Sequence, residues 1–175
     1  WSGTPLIHYG FNLEASWKNF DIYALLQGAG MYTVQFSEVY AEVLWSKGAN
    51  TPAYFYDRWR KEDPYNPNSK WVAGKWPATR LIQDTGAMYK ESNIWRRDAS
   101  YLRLKTLELG YTLPDSILRK SGISNIRFYI NGYNLLTFCD SFVKAFDPEK
   151  VEGSYSAGMN YPLTKSFNIG FTANF

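Results

Sequence analysis

The chain has 175 residues, a formal net charge of +3 and an aromatic content of 18%. Its lysines and arginines are scattered, which argues against a nucleic-acid-binding surface because such a surface needs a basic stripe. The single cysteine, Cys139, cannot form an internal disulfide. No apolar run approaches the roughly 18 residues that a transmembrane helix needs. The many aromatic rings are therefore predicted to lie on surfaces or in loops.

The first predicted elements are two strands joined by a tight turn. From residue 7 to residue 17 every odd position is apolar and every even position is polar or small, which is the period of a two-faced strand. A polar turn follows at 18–21, and the next run keeps a weaker alternation through Phe20, Ile22, Ala24 and Leu26. We predict strands at about 6–17 and 20–34, paired as a hairpin.

A long connection follows at about 35–98. Its first part, from Phe36 to Leu44, spaces apolar residues like an amphipathic helix that ends at Gly48. The remainder is rich in proline, asparagine, glycine, tryptophan and tyrosine. A connection of this length is usually either functional or disordered, and its ring content favours packed structure.

Three further strands are predicted at about 99–113, 124–138 and 161–175, with a second long loop at about 139–160. In the first of them Leu107, Leu109 and Tyr111 share one face, but Arg103 and Lys105 have the same parity. The basic pair therefore indicates either a strand end outside a membrane or a local β-bulge. The last strand alternates up to an aromatic residue at the terminus.

The five strands are connected by a short turn, a long loop, a short turn and a long loop. An antiparallel sheet of this kind has its long loops at one end, which is the layout of an outer-membrane barrel with short periplasmic turns and long extracellular loops. Five strands cannot close, because bacterial barrels have about 8 or more, and open edges are costly in lipid. We therefore predict an all-β fold: the C-terminal five antiparallel strands of a transmembrane β-barrel whose other strands precede residue 1.

Several sequence motifs follow one another along the chain. They are S-Y-L-R-L-K at 100–105, L-G-Y-T-L-P at 109–114, R-x-Y-x-x-G-x-N-L-x-T at 127–137, F-D-P-E at 146–149 and Y-P-L-x-x-S-F-N-x-G at 161–170. The long connection adds D-R-W-R-K-E-D-P-Y-N-P-N and W-P-A-T-R. In this order the motifs resemble the C-terminal region of SusC-like (SusC/RagA-type) TonB-dependent transporters of Bacteroidetes. The resemblance covers nearly the whole chain.

The resemblance implies a barrel of about 22 strands with an N-terminal plug domain, and both the plug and the earlier strands lie outside this chain. It implies a SusD-like surface lipoprotein that closes as a lid, and energy delivered by the TonB complex through the N-terminal part. It also implies import of oligosaccharides across the outer membrane of a Gram-negative bacterium, contact with outer-membrane lipid, and no cofactor. A dimer of transporter–lid pairs is left open.

Three alternatives stay open at this point. A SusC-like transporter can import peptides instead of glycans, and this region does not separate the two. A siderophore or vitamin receptor would lack the L-R-L-K, L-G-Y-T-L-P and N-L-x-T-F segments. A soluble all-β carbohydrate-binding or adhesin module would fold alone without detergent and would bury its apolar strand faces in a dry interior.

Three sets of candidate site residues follow from these predictions. Rings in the long connection could stack on sugar rings or contact a lid, since interfaces favour aromatic residues; the competing interpretation is packing within the loop. These rings are Trp45, Tyr54, Phe55, Tyr56, Trp59, Trp71 and Trp76.

A second set is polar and predicted to face the lumen. These residues could contact substrate, solvate the lumen or pair with the plug. They are Asn12, Glu14, Gln27, Arg127, Asn131 and Asn134. The barrel assembly signal implied by the resemblance is the last strand with Phe167, Phe171 and Phe175.

Nothing in the sequence indicates an active site. No nucleophile elbow, phosphate-binding loop or metal-ligand spacing occurs. Asp57, Glu62 and Asp63 lie among basic residues in a surface loop, which predicts ion pairs in preference to acid–base chemistry or calcium binding. The F-D-P-E segment predicts a turn before it predicts a metal site. The chain is therefore predicted not to be an enzyme.

Overall fold

The computed structural model describes residues 2–36, 51–79, 92–119, 122–149 and 160–175. Apart from Phe36, the predicted amphipathic helix lies outside these ranges, and so does the candidate Trp45. The chain divides into two compact units. We name them the sheet unit, Trp1–Thr33, Asp98–Val151 and Gly158–Phe175, and the loop unit, Val34–Arg97 and Glu152–Ala157.

The main element of the sheet unit is a five-stranded antiparallel sheet, and the shorter strands of the described chain form two small sheets. In chain order the strands are β1 (Ile7–Trp17), β2 (Phe20–Gly30), β3 (Thr33–Gln35), β4 (Arg60–Lys61), β5 (Trp71–Val72), β6 (Arg96–Asp98), β7 (Tyr101–Thr112), β8 (Asn125–Cys139) and β9 (Ser166–Asn174). The helices are a 3-10 helix at Ala53–Asp57, α1 at Asp115–Leu118 and α2 at Ser141–Lys144. Strands β1, β2, β7, β8 and β9 form the five-stranded sheet in that order, while β3–β6 and β4–β5 are two-stranded. No helix among the described residues is long and apolar enough to cross a membrane.

The register aligns side chains across all five strands of the large sheet. The row next to the short turns is aromatic throughout: Trp17, Phe20, Tyr111, Phe128 and Phe171. The next row is aliphatic throughout: Ala15, Ile22, Leu109, Ile130 and Ile169. Because side chains alternate along each strand, these rows share one side of the sheet, which we name the apolar face. At a rise of about 3.3 Å per residue and a tilt of about 40°, the length of β1 spans about 25 Å, the height of a barrel's apolar band.

A β-bulge at Lys105 reverses the alternation of β7. The register shifts after Leu104 against both neighbouring strands. Leu102 and Leu104 therefore share the apolar face with Leu107, whereas Arg103 points to the opposite face and is buried. The bulge was one of the two structures that the parity of the basic pair indicated, and it is the one that forms.

The second predicted strand is interrupted at Met31. Its φ of 58° lies in the left-handed region, far from the β region of regular strand residues. Strand β2 therefore ends at Gly30, and Thr33–Gln35 pairs separately with β6. The amide of Met31 donates to the hydroxyl of Ser100 at 3.2 Å.

The last strand begins at Ser166, later than the predicted start at 161. Pro162 has no amide hydrogen to donate to a strand ladder. The amide of Leu163 donates instead to the carboxylate of Asp147 at 2.7 Å. The carbonyl of Thr164 accepts from a side-chain amide of β8 at 3.1 Å. The proline and these two bonds to side chains therefore keep the segment before Ser166 outside the ladder.

The loop unit is packed around aromatic rings. Phe36, Phe55, Trp76 and Trp95 are buried. The rings of Trp76 and Trp95 stack with their centroids 5.2 Å apart, and Phe55 contacts both. The amide of Phe36 donates to the carbonyl of Trp95 at 2.9 Å. The packed structure predicted for the long connection is confirmed for its described residues.

Candidate functional site

The apolar face of the large sheet is exposed. Ile169 is 85% exposed and Phe171 is 68% exposed, and Phe11, Leu13, Trp17, Ile130 and Phe167 are exposed as well. A soluble protein rarely leaves a contiguous apolar surface of this extent in water. The soluble-module alternative requires these rows to meet in a dry interior, and their exposure contradicts it. The face suits contact with lipid hydrocarbon.

The opposite side, which we name the polar face, holds a chain of hydrogen-bonded side chains around Arg127. The guanidinium donates to Asp21 through Nε at 3.1 Å and makes a second close bond to it through Nη2. The same Nη2 donates to Glu108 at 2.8 Å. Glu108 also accepts from Asn131 at 3.1 Å, and Asn131 accepts from Asn168 at 2.9 Å. The chain of bonds connects β2, β7, β8 and β9.

Gly110 provides the space for this arrangement. Arg127, on β8, reaches Asp21, on β2, by passing over β7 at Gly110. A Cβ at this position would lie 2.3 Å from Nη2 of Arg127 and 2.5 Å from the carboxylate of Asp21. Any larger residue would therefore separate the ion pair. We name Asp21, Glu108 and Arg127 the Arg127 cluster.

A second charged cluster lies at the bulge of β7. Arg103 and Asp147 are each 3% exposed and are joined by an ion pair of 2.6 Å. Arg103 also donates to Glu149 and to the hydroxyl of Thr137, each at 2.9 Å. Lys105 donates to both carboxylate oxygens of Glu149, at 2.6 Å and 2.7 Å. We name Arg103, Lys105, Asp147 and Glu149 the bulge cluster.

Asp147 joins the two ends of the segment between β8 and β9. Its Oδ1 accepts from the amide of Glu149 at 3.1 Å, and its Oδ2 accepts from the amide of Leu163 at 2.7 Å. Burial alone would raise the pKa of Asp147, but the hydrogen bonds from Arg103 and from the two amides outweigh burial and hold this pKa below its usual value. The carboxylate is therefore charged at neutral pH.

The bulge cluster unites three motifs that are distant in sequence. Arg103 and Lys105 belong to S-Y-L-R-L-K, Asp147 and Glu149 belong to F-D-P-E, and Leu163 belongs to Y-P-L. Sequence reasoning assigned F-D-P-E only to a turn and missed its role, because spacing does not pair residues so far apart. The available signal was a basic pair at positions whose parity matches the apolar residues of β7, since cations turned away from such a face and buried need acidic partners.

The loop unit separates the aromatic candidates into two groups. The exposed group, which is accessible to a ligand or partner, is Tyr56, Trp59 and Trp71. The packed group, whose members contact one another at centroid distances of 4.9 to 5.9 Å, is Tyr54, Phe55 and Trp76. Lys61 lies over the ring of Trp71 at 4.6 Å, and Trp71 remains exposed.

The register places the polar candidates Asn12, Glu14, Arg127 and Asn131 on the polar face. Arg127 and Asn131 come together through Glu108, whereas Asn12 and Glu14 lie on β1 outside this chain of bonds. On the other side of the sheet, the predicted assembly residues Phe167 and Phe171 belong to the apolar face, and Phe175 follows β9 as an exposed terminus.

The ion pairs predicted at 57–63 do not form among the described residues, so that prediction is wrong. The β4–β5 hairpin supplies backbone partners instead. Lys61 donates to the carbonyl of Ser69 at 2.8 Å, and Asp63 accepts from the amide of Tyr65 at 2.9 Å. In the described part of the chain, histidine, cysteine, aspartate and glutamate form no group that could hold a metal ion.

An antiparallel sheet with an exposed apolar face, a row of aromatic residues at one end and a polar opposite face defines a segment of a transmembrane β-barrel. Known proteins specify the class further. The chain is 32% identical over 183 residues to TonB-dependent receptor P3 of Formosa agariphila, an alignment that covers 98% of this chain and 16% of the receptor. It is 29% identical over 189 residues to TonB-dependent receptor P26 of the same organism, with 99% and 17% covered.

Solved structures of the RagAB peptide importer have the same fold. The open-open state matches with a TM-score of 0.69 and 27% identity, over 99% of this chain and 18% of that one. The closed-closed state matches with a TM-score of 0.71 and 28% identity, over 97% and 17%. Over nearly its whole length the chain therefore matches one part of a SusC-like TonB-dependent transporter. It spans about a sixth of the length of the receptors that it matches, and no protein-family model matches it.

Proposed function

We propose that the chain is the C-terminal part of an outer-membrane importer whose apolar face contacts lipid and whose polar face lines the lumen. The observation that carries this proposal is the exposed apolar face, with its aromatic row, in a chain related to TonB-dependent receptors. The connections after β2 and after β8 are long and leave the sheet at the same end, which we assign to the cell exterior. The short turns face the periplasm.

Oligosaccharide is the first candidate substrate, held between the extracellular loops and a SusD-like lipoprotein lid. The exposed rings of Tyr56, Trp59 and Trp71 support this choice, because sugar C–H groups pack on aromatic faces. Energy would reach the barrel through a plug and a TonB-contacting segment in the rest of the protein. The described residues contribute binding and passage, and we assign them no catalytic step.

Peptide is the second candidate substrate. It is favoured by one observation: two structures of the RagAB peptide importer match nearly the whole chain at 27% and 28% identity. Identity at this level supports a common transport architecture, while the substrate depends on loop and lumen side chains and not on the fold.

Uptake by living cells tests the proposed function. The host strain, a deletion of the complete transporter gene and a complemented deletion would receive fluorescently labelled pools of short neutral oligosaccharides and of short peptides. We expect the oligosaccharide signal to disappear in the deletion and to return on complementation. Removal of the lid gene or of TonB should reduce the same signal.

Each result has a distinct meaning for the proposal. Loss of peptide uptake alone would replace oligosaccharide by peptide as the substrate. Loss of neither signal, together with loss of uptake of an iron chelate or a vitamin, would overturn the proposal in favour of a metal-chelate or vitamin receptor.

A further inference from the structure

A shallow, open depression of about 490 Å³, called the cavity below, lies on the polar face beside the bulge of β7. Its volume falls within the range of small-ligand sites, roughly 300–1,000 Å³. The residues that matter for its chemistry are Gln27, Lys105, Thr106, Tyr133, Asn134 and Ser166. All of them belong to the sheet unit.

Three residues of this cavity that carry hydroxyl groups are neighbours across the sheet. Thr106 pairs with Tyr133 in the register of β7 and β8, and Tyr133 pairs with Ser166 in the register of β8 and β9. Since neighbouring strands lie about 4.8 Å apart, the three side chains succeed one another at that spacing across the polar face. On β2, Leu25 pairs with Thr106 and adds an apolar side chain to the lining, while Gln27 pairs with Arg103 and adds an amide. We name Thr106, Tyr133 and Ser166 the hydroxyl row.

The polar side chains of the hydroxyl row are available to a ligand, whereas the charged side chain of Lys105 beside them is already paired. Within the described ranges, the side chains of Gln27 and of the hydroxyl row make no hydrogen bond. In contrast, Lys105 is held by both carboxylate oxygens of Glu149. Asn134 donates to the carbonyl of Thr164 at 3.1 Å. In the cavity, Lys105 and Asn134 are therefore held by hydrogen bonds, while the neutral donors and acceptors between them have no partner within the described ranges.

We propose that the hydroxyl row is a contact site for a neutral oligosaccharide inside the barrel, an inference that rests on the proposed import function. Sugar hydroxyls donate and accept, as hydroxyl and amide side chains do, and the ring of Tyr133 offers an apolar surface to sugar C–H groups. A peptide would bring charged termini into a cavity whose cation is already neutralised by Glu149. The chemistry of the row therefore selects an uncharged polyhydroxylated ligand.

The test uses the complete transporter, purified in detergent with its lid. The variant Thr106→Val, Tyr133→Phe, Ser166→Ala removes three hydroxyl groups and keeps side-chain shape. The matched control is Tyr129→Phe, which removes the same group from the same strand and face but lies over Gly170 outside the cavity. The probes are a pool of short neutral oligosaccharides and a pool of short peptides. Native mass spectrometry identifies the bound members, and calorimetric titration measures their dissociation constants.

We expect oligosaccharide binding to weaken about fivefold for each hydroxyl that contacts the ligand, as for the loss of one neutral hydrogen bond. The control should change the dissociation constant by less than about twofold. Single variants should divide the effect among the three positions. Barrel migration on a gel without heating verifies that each variant is folded.

Other outcomes overturn the inference in distinguishable ways. If oligosaccharides bind the triple variant as tightly as the native transporter, the row is not a contact site, although the proposed function stands. If only peptides bind, or if the triple variant weakens peptides and not oligosaccharides, the ligand class is wrong. If neither pool binds and neither is taken up by cells, the proposed function fails together with the inference.

Discussion

The two charged clusters of the sheet unit have the same chemical groups in different surroundings. In the bulge cluster the side chains of Arg103 and Asp147 are 4% and 3% exposed. In the Arg127 cluster the side chains of Arg127 and Asp21 are 28% and 34% exposed. Removal of one partner from a buried pair leaves an uncompensated charge away from water, whereas water can solvate the remaining partner in a half-exposed pair. Burial, more than the number of ion pairs, should decide how much each cluster contributes to stability.

The clusters also differ in charge balance. The bulge cluster pairs two cations with two carboxylates, since Lys105 and Arg103 share Glu149 and Arg103 also binds Asp147. The Arg127 cluster has one cation for two carboxylates and keeps a net negative charge. A balanced, buried cluster suits a structural role at the base of the β8–β9 segment. An unbalanced, hydrated cluster suits a surface that faces a polar lumen.

The largest effect is expected from Arg103→Met in the complete transporter. This change removes the cation but retains much of the side-chain volume, so Asp147 stays buried without its partner. We expect the free energy of unfolding to fall by about 3–5 kcal/mol, measured by urea titration of the barrel refolded in lipid vesicles. A loss below about 1 kcal/mol would show that water enters the cluster and that its burial has no energetic consequence.

Acidification should reproduce part of that loss. The pKa of Asp147 is held below its usual value in the folded protein, so the stabilisation is fully present above the pKa of the unfolded chain. It is lost as pH falls through the folded pKa, where both states bind the proton. The difference in unfolding free energy between the native protein and Asp147→Asn should therefore stay constant from neutral pH to about pH 4 and shrink below it. A difference that instead grows as pH falls from neutral to about pH 5 would mean that burial dominates and that the pKa is raised.

A smaller effect is expected from Arg127→Met, the same substitution in the half-exposed cluster. Asp21 and Glu108 would lose their shared cation but remain partly hydrated. We expect a loss of about 1 kcal/mol in the same urea titration, and added salt should reduce it because the remaining charges repel one another. A loss equal to that of Arg103→Met would abolish the distinction between the clusters.

The region around the two clusters also shows which features of the fold the sequence predicts and which it does not. The alternation of apolar and polar residues along β1 and along the last strand predicts the two-faced sheet. In a barrel strand one face is apolar and the other polar, so the alternation can be read directly from the sequence. The parity of Arg103 and Lys105 signals a bulge, although its effect on Leu102 and Leu104 appears only with the register. The start of β9 is not predictable, since it depends on a bond from Leu163 to Asp147, which comes from the other side of a long loop.

The candidate sites follow the same division. Arg127 and Asn131 are predictable as inward polar residues because parity alone places them on one face. The sequence does not predict which loop aromatics are exposed and which are packed. Trp71 and Trp76 are the same residue type and each follows a lysine, yet Trp71 is exposed and Trp76 is buried. Only tertiary packing decides which of the two rings is covered. The hydroxyl row is hidden for a similar reason, since its members come from three strands.

The smallest effect is expected from Lys105→Met, and it tests whether the bulge cluster acts as a unit. Glu149 would still accept from Arg103 at 2.9 Å, so its carboxylate is not left unpaired. We expect a loss of about 0.5–1 kcal/mol. A double-mutant cycle with Glu149→Gln separates pairwise from collective effects. Independent pairs would give a coupling energy equal to the Lys105 loss, whereas a larger coupling would show that the lysine also orients Glu149 toward Arg103. Zero coupling would mean that the ammonium group of Lys105 does not act through Glu149, and the bulge cluster would then consist of Arg103, Asp147 and Glu149 alone.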